Sequence, residues 1–261
     1  MNLNLKDKIF IVTGGASGIG EAIVRTFAAE DGVPVILDRD RERGEALVAR
    51  LKSAEKRAQF IQTDLCQESD CKNAVEKTLT TQGRIDGLIN NAGINDGAGL
   101  SASIEDFQQS LNRNLMHYFA MLHFAKDALV ASRGVVVNIG SKVATTGQGG
   151  TSGYAAAKGA IAALTREWAV DFLPHGVRVN EVVPAEVWTP LYEKWIATQP
   201  NPEEALRHIE KRIPLGARMT TPQEIADTVA FLASDRASHI TGQRIYVDGG
   251  YTHLDRALKT E

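Results

Sequence analysis

Runs of apolar, β-branched residues alternate with longer stretches of helical periodicity along nearly the whole chain. Seven short runs have the almost continuous Val and Ile content of strands that are covered on both faces. They span Lys8–Thr13, Pro34–Asp38, Ala58–Thr63, Gly87–Asn90, Val135–Ile139, Arg178–Val183 and Gln243–Val247. Helical stretches lie between them, at Ile19–Ala29, Arg41–Leu51, Glu68–Thr80, Ile104–Val130, Gly153–Phe172 and Pro222–Ser234. The alternation predicts an α/β fold: one doubly wound, Rossmann-type parallel sheet of about seven strands with helices on both faces.

Length and charge narrow the class further. A chain of 261 residues fits a single domain, and no repeat, low-complexity tract or linker divides it. The formal net charge of −3 argues against nucleic acid or an anionic membrane as the main partner. No apolar run approaches the roughly 18 residues of a membrane span, and MNLNLKDKIFIVTGG lacks the pattern of a secretory signal. We therefore expect one domain over residues 1–261, located in the cytoplasm.

The two cysteines give no indication of a metal site. Cys66 and Cys71 match no zinc-binding spacing, and no histidine cluster accompanies them. Because disulfides are rare in the cytosol, we expect two free thiols. The sequence predicts no metal ligand set.

A glycine-rich segment follows the first predicted strand and begins a helix. Thr13–Gly20 reads TGGASGIG. In this context Gly14 permits a tight turn, Gly18 lets the backbone approach a pyrophosphate, and Gly20 allows close helix–strand packing. Ser17 can add a hydroxyl donor, and the free N–H groups at the helix start favour an anion. The segment predicts a dinucleotide phosphate site, with the spacing G-x-x-x-G-x-G rather than G-x-G-x-x-G.

Residues at the ends of later strands extend this predicted site. Asp38 ends the second strand, where a carboxylate accepts both ribose hydroxyls and repels a 2′-phosphate, so NAD is favoured as the cofactor. Arg39 can pair with such a phosphate, which keeps NADP open as the weaker alternative. Asp64 ends the third strand and either accepts from the adenine amino group or belongs to a plain turn. Small residues beyond the fourth strand suit a chain passing close to the cofactor. The remaining predicted contacts at these places are Ile19, Leu65, Asn91, Ala92 and Gly93.

Tyr154 and Lys158 lie four residues apart in GYAAAKG, which places both on one face of a helix. A phenol with a pKa of about 10 is a poor base at neutral pH, and a nearby ammonium lowers that pKa. Tyr154 can then take a proton from an alcohol or return one to a carbonyl. Ser141, after the fifth strand, can orient the substrate oxygen, and Asn114 in the long helix can hold a water that relays protons to Lys158. His117 on that helix is more typical of a packed or interface histidine.

The combined motifs resemble the short-chain dehydrogenase/reductase family over about residues 5–250. They are TGGASGIG, NNAG, the serine–tyrosine–lysine spacing, RVNEVVPAEVWTP and TGQRIYVDGG. The resemblance implies an NAD(P)-dependent oxidoreductase that works as a homotetramer, paired through the helices carrying Asn114 and Tyr154. It implies a catalytic tetrad of Asn114, Ser141, Tyr154 and Lys158. It also implies that Ile139, Pro184, Val187 and Thr189 border the nicotinamide. Ala185 departs from the glycine usual in the family, which should change the backbone freedom only slightly.

Four further stretches resemble family members that oxidise the anomeric hydroxyl of L-fucose and related aldoses to a lactone. They are GINDGAGL, NLMHYFAM, VPAEVWTPLYEKWIA and VDGGYTHLDRAL. The resemblance implies a small-molecule substrate of the sugar class.

Residues 185–214, which we call the lid segment, interrupt the strand–helix rhythm with prolines and aromatic residues. A long insertion at the carboxyl edge of a parallel sheet is a candidate lid, and a plain surface excursion is the alternative. A sugar needs hydrogen-bonding groups for its hydroxyls and flat apolar faces for its C–H surfaces. Glu186 is the sharpest indication, because a carboxylate is costly against an acyl chain but useful to a polyol; a solvated glutamate is the alternative. The predicted substrate contacts are Asn95, Asp96, Ser141, Gln148, Thr151, Ser152, Tyr154, Glu186, Trp188, Tyr192 and Trp195. The tail, residues 251–261, either folds over a neighbouring subunit's pocket or frays.

Two other functions are compatible with the same motifs. A 3-oxoacyl or hydroxysteroid reductase keeps the chemistry and changes the substrate. An acyl-carrier partner needs a basic mouth, however, and the lid segment carries Glu193, Glu203 and Glu204; reductive biosynthesis also favours NADPH, against Asp38. A nucleotide-binding regulator without turnover is disfavoured by the complete tetrad.

Overall fold

The computed structural model of the chain describes residues 2–254 and contains one seven-stranded sheet. The strand order is β3-β2-β1-β4-β5-β6-β7, and every neighbouring pair is parallel. The strands are β1 (Ile9–Thr13), β2 (Val33–Asp38), β3 (Gln59–Gln62), β4 (Gly87–Asn90), β5 (Val135–Ile139), β6 (Arg178–Pro184) and β7 (Arg244–Val247). The predicted fold, a single doubly wound α/β domain, is confirmed, and each predicted strand agrees to within one residue at either end.

Helices cover both faces of this sheet. They are α1 (Gly18–Ala29), α2 (Arg41–Ser53), α3 (Glu68–Gln82), α4 (Ile104–Leu111), α5 (His117–Ser132), α6 (Ser152–Phe172), α7 (Pro190–Ala197), α8 (Pro202–Glu210) and α9 (Pro222–Ala233). On one face Phe10, Val12 and Ile36 pack into a core with residues of α1 and α9. On the other face Ile11 and Val35 pack with residues of α3, α5 and α6. Side chains that alternate between two apolar layers explain why the strands are nearly continuous in Val and Ile.

Two helical regions differ from the sequence prediction. The helix predicted over Ile104–Val130 is divided, because Asn112–Met116 forms a π-helical segment between α4 and α5. The lid segment contains α7 and α8, which were not predicted, because its prolines suggested an irregular chain. Pro190 and Pro202 instead occupy the first turn of each helix, where a missing N–H costs nothing.

The strand order reverses direction between β1 and β4, and side-chain hydrogen bonds join the ends of these two strands. Thr13 Oγ1 accepts a hydrogen bond from the backbone N–H of Asn91 at 2.9 Å, and Asn91 Nδ2 donates to the Thr13 carbonyl at 2.9 Å. Open α/β sheets bind ligands outside the carboxyl ends of the strands at such a switch point. The fold therefore directs the search for a site to this edge.

Within residues 2–254, no helix combines the length and apolarity that a membrane crossing requires. The same residues contain no group of three or more His, Cys, Asp or Glu side chains arranged to hold a metal ion.

The N-terminus of α9, which packs on α1, is fixed by a reciprocal cap. Thr221 Oγ1 accepts from the Glu224 N–H at 3.3 Å, and Glu224 Oε2 accepts from the Thr221 N–H at 2.8 Å. Arg218 Nη2 also donates to Glu224 Oε1 at 2.5 Å. The Arg218 guanidinium, followed by the Thr221 N–H, lowers the pKa of Glu224 from 4.5 to about 2.

We expect Glu224→Ala to lower the free energy of unfolding by about 1 kcal/mol, the usual cost of losing a helix cap. Because the folded-state pKa is depressed, this contribution is complete above pH 4.5 and disappears as the pH falls towards 2. Urea denaturation at pH 7 and pH 3 measures both values. Glu203→Ala is the matched control, since Glu203 also lies in the first turn of a helix but makes only an exposed 3.7 Å pair with Arg207. Equal losses in the two variants at pH 7 would contradict the assignment.

Candidate active site

The glycine-rich segment forms a tight turn between β1 and α1. Gly14 and Gly18 have φ angles of +63° and +57°, in the left-handed region that favours glycine. A Cβ atom at Gly20 would lie 2.1 Å from the Gly14 carbonyl oxygen, so α1 approaches this turn as closely as backbone permits. Ser17 precedes α1 without capping it through its side chain. The first N–H groups of α1 are therefore without a side-chain cap, and a helix N-terminus of this kind favours an anion such as a phosphate.

A cleft of about 470 Å³ runs along the carboxyl edge of the sheet from this turn. Most residues predicted to contact a cofactor line it. They are Gly14, Ser17, Gly18, Ile19, Asp38, Arg39, Asp64, Leu65, Asn91, Ala92, Gly93, Ile139, Tyr154, Lys158, Pro184 and Thr189. Gly20 packs under the turn and Val187 is buried in the core, so these two predicted residues lie beside the cleft and do not line it. The shape and the lining fit an extended dinucleotide.

One end of the cleft carries the carboxylate of Asp38. Its two oxygens accept from the N–H groups of Ala16 and Asp40, each at 3.1 Å, and these bonds fix the side chain at the tip of β2. Arg39 and Arg43 line the cleft beside it. The structure thus places a fixed carboxylate and two guanidinium groups at the same end of the cleft.

Asp64 lies two residues beyond β3, in a turn that borders the cleft. Its Oδ1 accepts from the Cys66 N–H at 3.0 Å, as in a plain turn. Its side chain also lines the cleft. The turn holds this carboxylate at the cleft wall.

Tyr154 and Lys158 stand together at the other end of the cleft, on α6. The Lys158 ammonium lies 5.6 Å from the centre of the Tyr154 ring. Its hydrogen bonds go to the Ile139 carbonyl at 2.8 Å and to the Tyr118 hydroxyl at 3.0 Å. The predicted helical spacing therefore brings both side chains to one place, with Tyr118 as an additional partner that the sequence did not indicate.

The electrostatic balance at this pair differs from the sequence expectation. Burial raises the pKa of Tyr154, and a hydrogen bond with Ser141 opposes that rise. Burial also lowers the pKa of Lys158 to about 7, and the nearby charge of Glu181 opposes that fall. Desolvation thus outweighs the attraction between ammonium and phenolate that was expected to acidify Tyr154.

Asn114 and Ser141 complete the predicted catalytic group. Asn114 lies in the π-helical segment, fully buried, where its Oδ1 accepts from the Ile94 N–H at 2.7 Å and its Nδ2 donates to the Ser110 carbonyl at 3.0 Å. Its side chain is therefore held in place by two backbone bonds. A Cβ on Gly93 would lie 3.1 Å from Asn114 Oδ1 and 3.6 Å from Lys158 Nζ, so both groups surround the same small space.

Glu186 is not a solvated residue, nor is it free for a ligand. Its carboxylate forms an ion pair with Lys142 and accepts from the Tyr192 hydroxyl at 2.8 Å. The Lys142 ammonium also lies 4.2 Å from the centre of the Tyr251 ring. This cluster joins α7 of the lid segment to the residue after Ser141 and to the start of the tail; residues 255–261 lie outside the described residues.

The remaining predicted substrate residues are spread around the cleft mouth. Tyr154 is the only one of the predicted substrate set, all of which the structure describes, to line the 470 Å³ cleft itself. Asn95, Gln148 and Ser152 are exposed. Asp96 accepts from Ser110 Oγ at 2.8 Å and Thr151 is buried beside α6, which indicates structural roles for these two. Three aromatic residues of the lid segment contact one another, with ring-centroid distances of 6.4 Å for Trp188–Tyr192 and 5.2 Å for Tyr192–Trp195.

Several residues of the site were missed from the sequence. Arg113, His117 and Lys194 line the cleft, and Lys142 pairs with Glu186. His117 was interpreted as a packed residue. It is 1% exposed, and its Nε2 bonds the Arg113 carbonyl at 3.0 Å while burial lowers its pKa to about 4. No motif marks these positions, because their roles depend on elements distant in the chain.

Comparison with known proteins agrees with the geometry. A family model described as enoyl-(acyl carrier protein) reductase matches residues 14–252. The chain is 38% identical to the L-fucose dehydrogenase of Bos taurus over 252 residues, which are 96% of this chain and 91% of that protein. It is 35% identical to the 3-oxoacyl-[acyl-carrier-protein] reductase of Thermotoga maritima over 250 residues, 95% of this chain and 99% of that protein.

Two solved structures are similar over their full lengths. The Cj0485 dehydrogenase superposes with a TM-score of 0.94 at 45% identity, and all of each chain is covered. The aldohexose dehydrogenase of Thermoplasma acidophilum, in ligand-free form, gives 0.90 at 32% identity, again with all of each chain covered. The chain therefore belongs to the short-chain dehydrogenase/reductase family, whose members act on CH–OH donors with NAD or NADP.

Proposed function

We propose that this protein is an NAD-dependent dehydrogenase that oxidises the anomeric hydroxyl of L-fucose and related aldoses to a lactone, with Tyr154 as acid/base. One observation supports the chemistry above all others. A single cleft has the carboxylate of Asp38 at one end and the Tyr154–Lys158 pair at the other.

The cofactor would be held by groups along the whole cleft. The turn at Gly14–Gly18 and the N-terminus of α1 suit the pyrophosphate, Asp38 suits the adenosine ribose, and Pro184 and Thr189 border the space for the nicotinamide. When bound, the nicotinamide would supply the hydride acceptor.

The proton is the part of the reaction that this chain's own residues move. In sugar oxidation the anomeric C–H bond loses a hydride and the hydroxyl loses a proton to Tyr154 Oη, leaving a carbonyl carbon in the lactone. Ser141, which hydrogen-bonds Tyr154, would hold the reacting oxygen. Because burial raises the pKa of Tyr154, oxidation should become faster as the pH rises towards that pKa.

Asp38 supports NAD as the preferred cofactor. Its carboxylate would accept the ribose hydroxyls, and a 2′-phosphate at the same place would meet a fixed negative charge. Arg39 and Arg43 beside it supply counter-charge, so NADP would bind more weakly than NAD without being excluded.

The substrate assignment rests on similarity to relatives that act on sugars. Relatives that match this chain over their full or nearly full length include an L-fucose dehydrogenase and an aldohexose dehydrogenase. Lys142, Glu186 and Tyr192 place a buried ionic cluster where the lid segment meets the segment after β5. Because these three groups are already paired with one another, the cluster holds the lid segment in place, and the choice of a sugar as substrate depends on the similarity to these relatives.

A 3-oxoacyl reductase is the second candidate. The 35% identity to the Thermotoga maritima reductase and the description of the matching family model favour it. Asp38 speaks against the NADPH that reduction would use, and Glu193, Glu203 and Glu204 speak against an acidic carrier protein at the lid segment.

The proposed enzyme works as a homotetramer in the cytoplasm. Ile104, Met116, Phe119 and Val170 on α4 to α6 are apolar and more than half exposed, which suits burial between subunits. Cys66 and Cys71 are free thiols, which suits a reducing compartment.

A substrate screen with NAD and NADP tests the proposed reaction. We expect L-fucose, D-arabinose and L-galactose to reduce NAD, followed by absorbance of the reduced cofactor, with a lactone identified by NMR. Higher kcat/KM on a 3-oxoacyl or hydroxysteroid substrate than on every sugar would make the second candidate the better one. No turnover of the three sugars would defeat the substrate assignment.

Tyr154→Phe tests the acid/base role. We expect kcat/KM to fall by roughly 10²–10⁴-fold, the contribution of a positioned proton-transfer group. NAD affinity, measured by fluorescence, should stay within about two-fold, because the phenol is not needed to hold the dinucleotide. Tyr246→Phe removes a phenol outside the cleft and should leave activity unchanged. Comparable activity in Tyr154→Phe and the wild type would refute the mechanism.

Asp38→Asn tests the basis of cofactor choice. Removing the charge should raise the NADP-to-NAD ratio of kcat/KM by about ten-fold, which corresponds to about 1.4 kcal/mol of relieved repulsion. Asp227→Asn, on the surface of α9, serves as control. An unchanged ratio in Asp38→Asn would show that another group selects the cofactor.

A further inference from the structure

A charged pair is buried in the sheet behind the catalytic segment. Glu181, in the middle of β6, is 0% exposed. Its Oε2 accepts from Arg244 Nε at 2.5 Å, and Arg244 is its register partner on the edge strand β7. On its other side Glu181 is opposite Asn138 of β5. From the sequence, Glu181 was interpreted only as one residue of the strand predicted over Arg178–Val183.

The second carboxylate oxygen of Glu181 is directed at the point where β5 leaves the sheet. Within residues 2–254, Oε1 has no hydrogen-bond partner. A Cβ atom on Gly140 would lie 1.8 Å from it, so the carboxylate packs directly against the Gly140 backbone. Gly140 is tied to β6 through the Val182 carbonyl at 2.8 Å and is followed by Ser141. Glu181 therefore supports the turn that presents Ser141.

Lys158 meets the same turn from the helix side. Its ammonium donates to the Ile139 carbonyl, one residue before Gly140. Burial lowers the pKa of Lys158 to about 7, and the negative charge of Glu181 is the influence that opposes this fall. The ammonium and the carboxylate thus act on one another across a single turn of backbone.

Stability does not explain a carboxylate at this place. Moving a carboxylate out of water costs several kcal/mol, and a buried ion pair can often be replaced by apolar residues without loss of stability. The residues two positions away on β6, which share the face of Glu181, are the buried Val179 and Val183, so the sheet accepts apolar side chains here. A costly charge that borders a catalytic segment indicates a functional role.

We propose that Glu181, anchored by Arg244, is a positioning residue that supports the Gly140–Ser141 turn and stabilises the ammonium of Lys158. The inference rests on the proposed roles of Ser141, Tyr154 and Lys158. Glu181 touches neither the cleft nor the reacting atoms, and it acts through these neighbours.

Charged and titratable groups from three elements face Glu181. They are Arg244 on β7, Lys158 and Arg166 on α6, and Tyr118 on α5. Burial raises the pKa of Glu181, while Arg244, Lys158 and Arg166 oppose that rise. The proposal requires Glu181 to be ionised in the range where Lys158 titrates, and the three cations favour its ionised form. A charged Lys158 in turn favours the phenolate of Tyr154.

The titration of Lys158 can be followed by NMR without any substrate. Protein carrying ¹³Cε-labelled lysine is titrated in the presence of saturating NAD, and Lys158→Arg assigns the resonance. We expect Glu181→Gln to lower the midpoint of Lys158 by about one pH unit, a ten-fold change in its protonation constant. Glu181→Asp keeps the charge and should leave the midpoint close to that of the wild type. Glu21→Gln, a carboxylate paired with Arg25 on the surface of α1, is the control.

An unchanged or higher midpoint in Glu181→Gln, or equal shifts in the Gln and Asp variants, overturns the proposal. If Glu181→Gln does not fold, the Glu181 carboxyl group is titrated by NMR in wild-type protein that carries ¹³C-carboxyl-labelled glutamate. Glu181→Asp then identifies the Glu181 resonance. Glu181 must be ionised where Lys158 titrates, and a protonated side chain there overturns the proposal.

The NMR measurement separates this inference from the proposed function. If no sugar is turned over, the titration of Lys158 can still be measured. If the midpoint of Lys158 does not change in Glu181→Gln, the substrate assignment is unaffected. With any substrate that is turned over, the acidic limb of the kcat/KM profile should move to higher pH in Glu181→Gln, whereas simple loss of packing would lower kcat without moving the limb.

Discussion

Parallel pairing of seven strands forces every strand to end at the same edge of the sheet, and the site depends on this constraint. Because both faces are covered by helices, the edge is the place where backbone N–H groups and polar side chains can meet a ligand. The turn after β1, Asp38 at the end of β2, Asn91 after β4 and Gly140 after β5 come from distant parts of the chain and converge there. Two helical elements add predicted catalytic side chains from outside the sheet, α6 with Tyr154 and Lys158 and the π-helical segment with Asn114.

The convergence was largely readable from the sequence, since it follows from local patterns. Val- and Ile-rich runs located each strand to within one residue, and the glycine spacing located the phosphate turn. The helical spacing of Tyr154 and Lys158 located the reactive pair. Their catalytic roles stay predictions, but their placement at one end of the cleft follows from the fold.

What the sequence could not provide is pairing between distant residues. Lys142 neutralises Glu186, so the residue expected to meet a sugar hydroxyl is engaged within the protein. Tyr118, rather than Tyr154, receives the Lys158 hydrogen bond. The π-helical segment at Asn114 arises where a side chain serves the backbone of another loop, at Ile94, and no local propensity encodes that. The helices α7 and α8 of the lid segment were not predicted, because proline is common both in loops and in the first turn of a helix.

Three cations of this region, Lys142, Arg244 and Lys158, differ in the acceptor groups that they contact. Lys142 has Glu186 and Arg244 has Glu181, each in direct contact. Lys158 instead receives a carbonyl and a phenol, with its nearest carboxylate already bound to Arg244. A cation that is desolvated and supplied with neutral acceptors stabilises any anion that forms beside it more strongly than a cation already in a salt bridge. The phenol beside Lys158 is that of Tyr154. Because no carboxylate forms a direct ion pair with Lys158 among the described residues, the Tyr154 phenolate can act as its counter-ion.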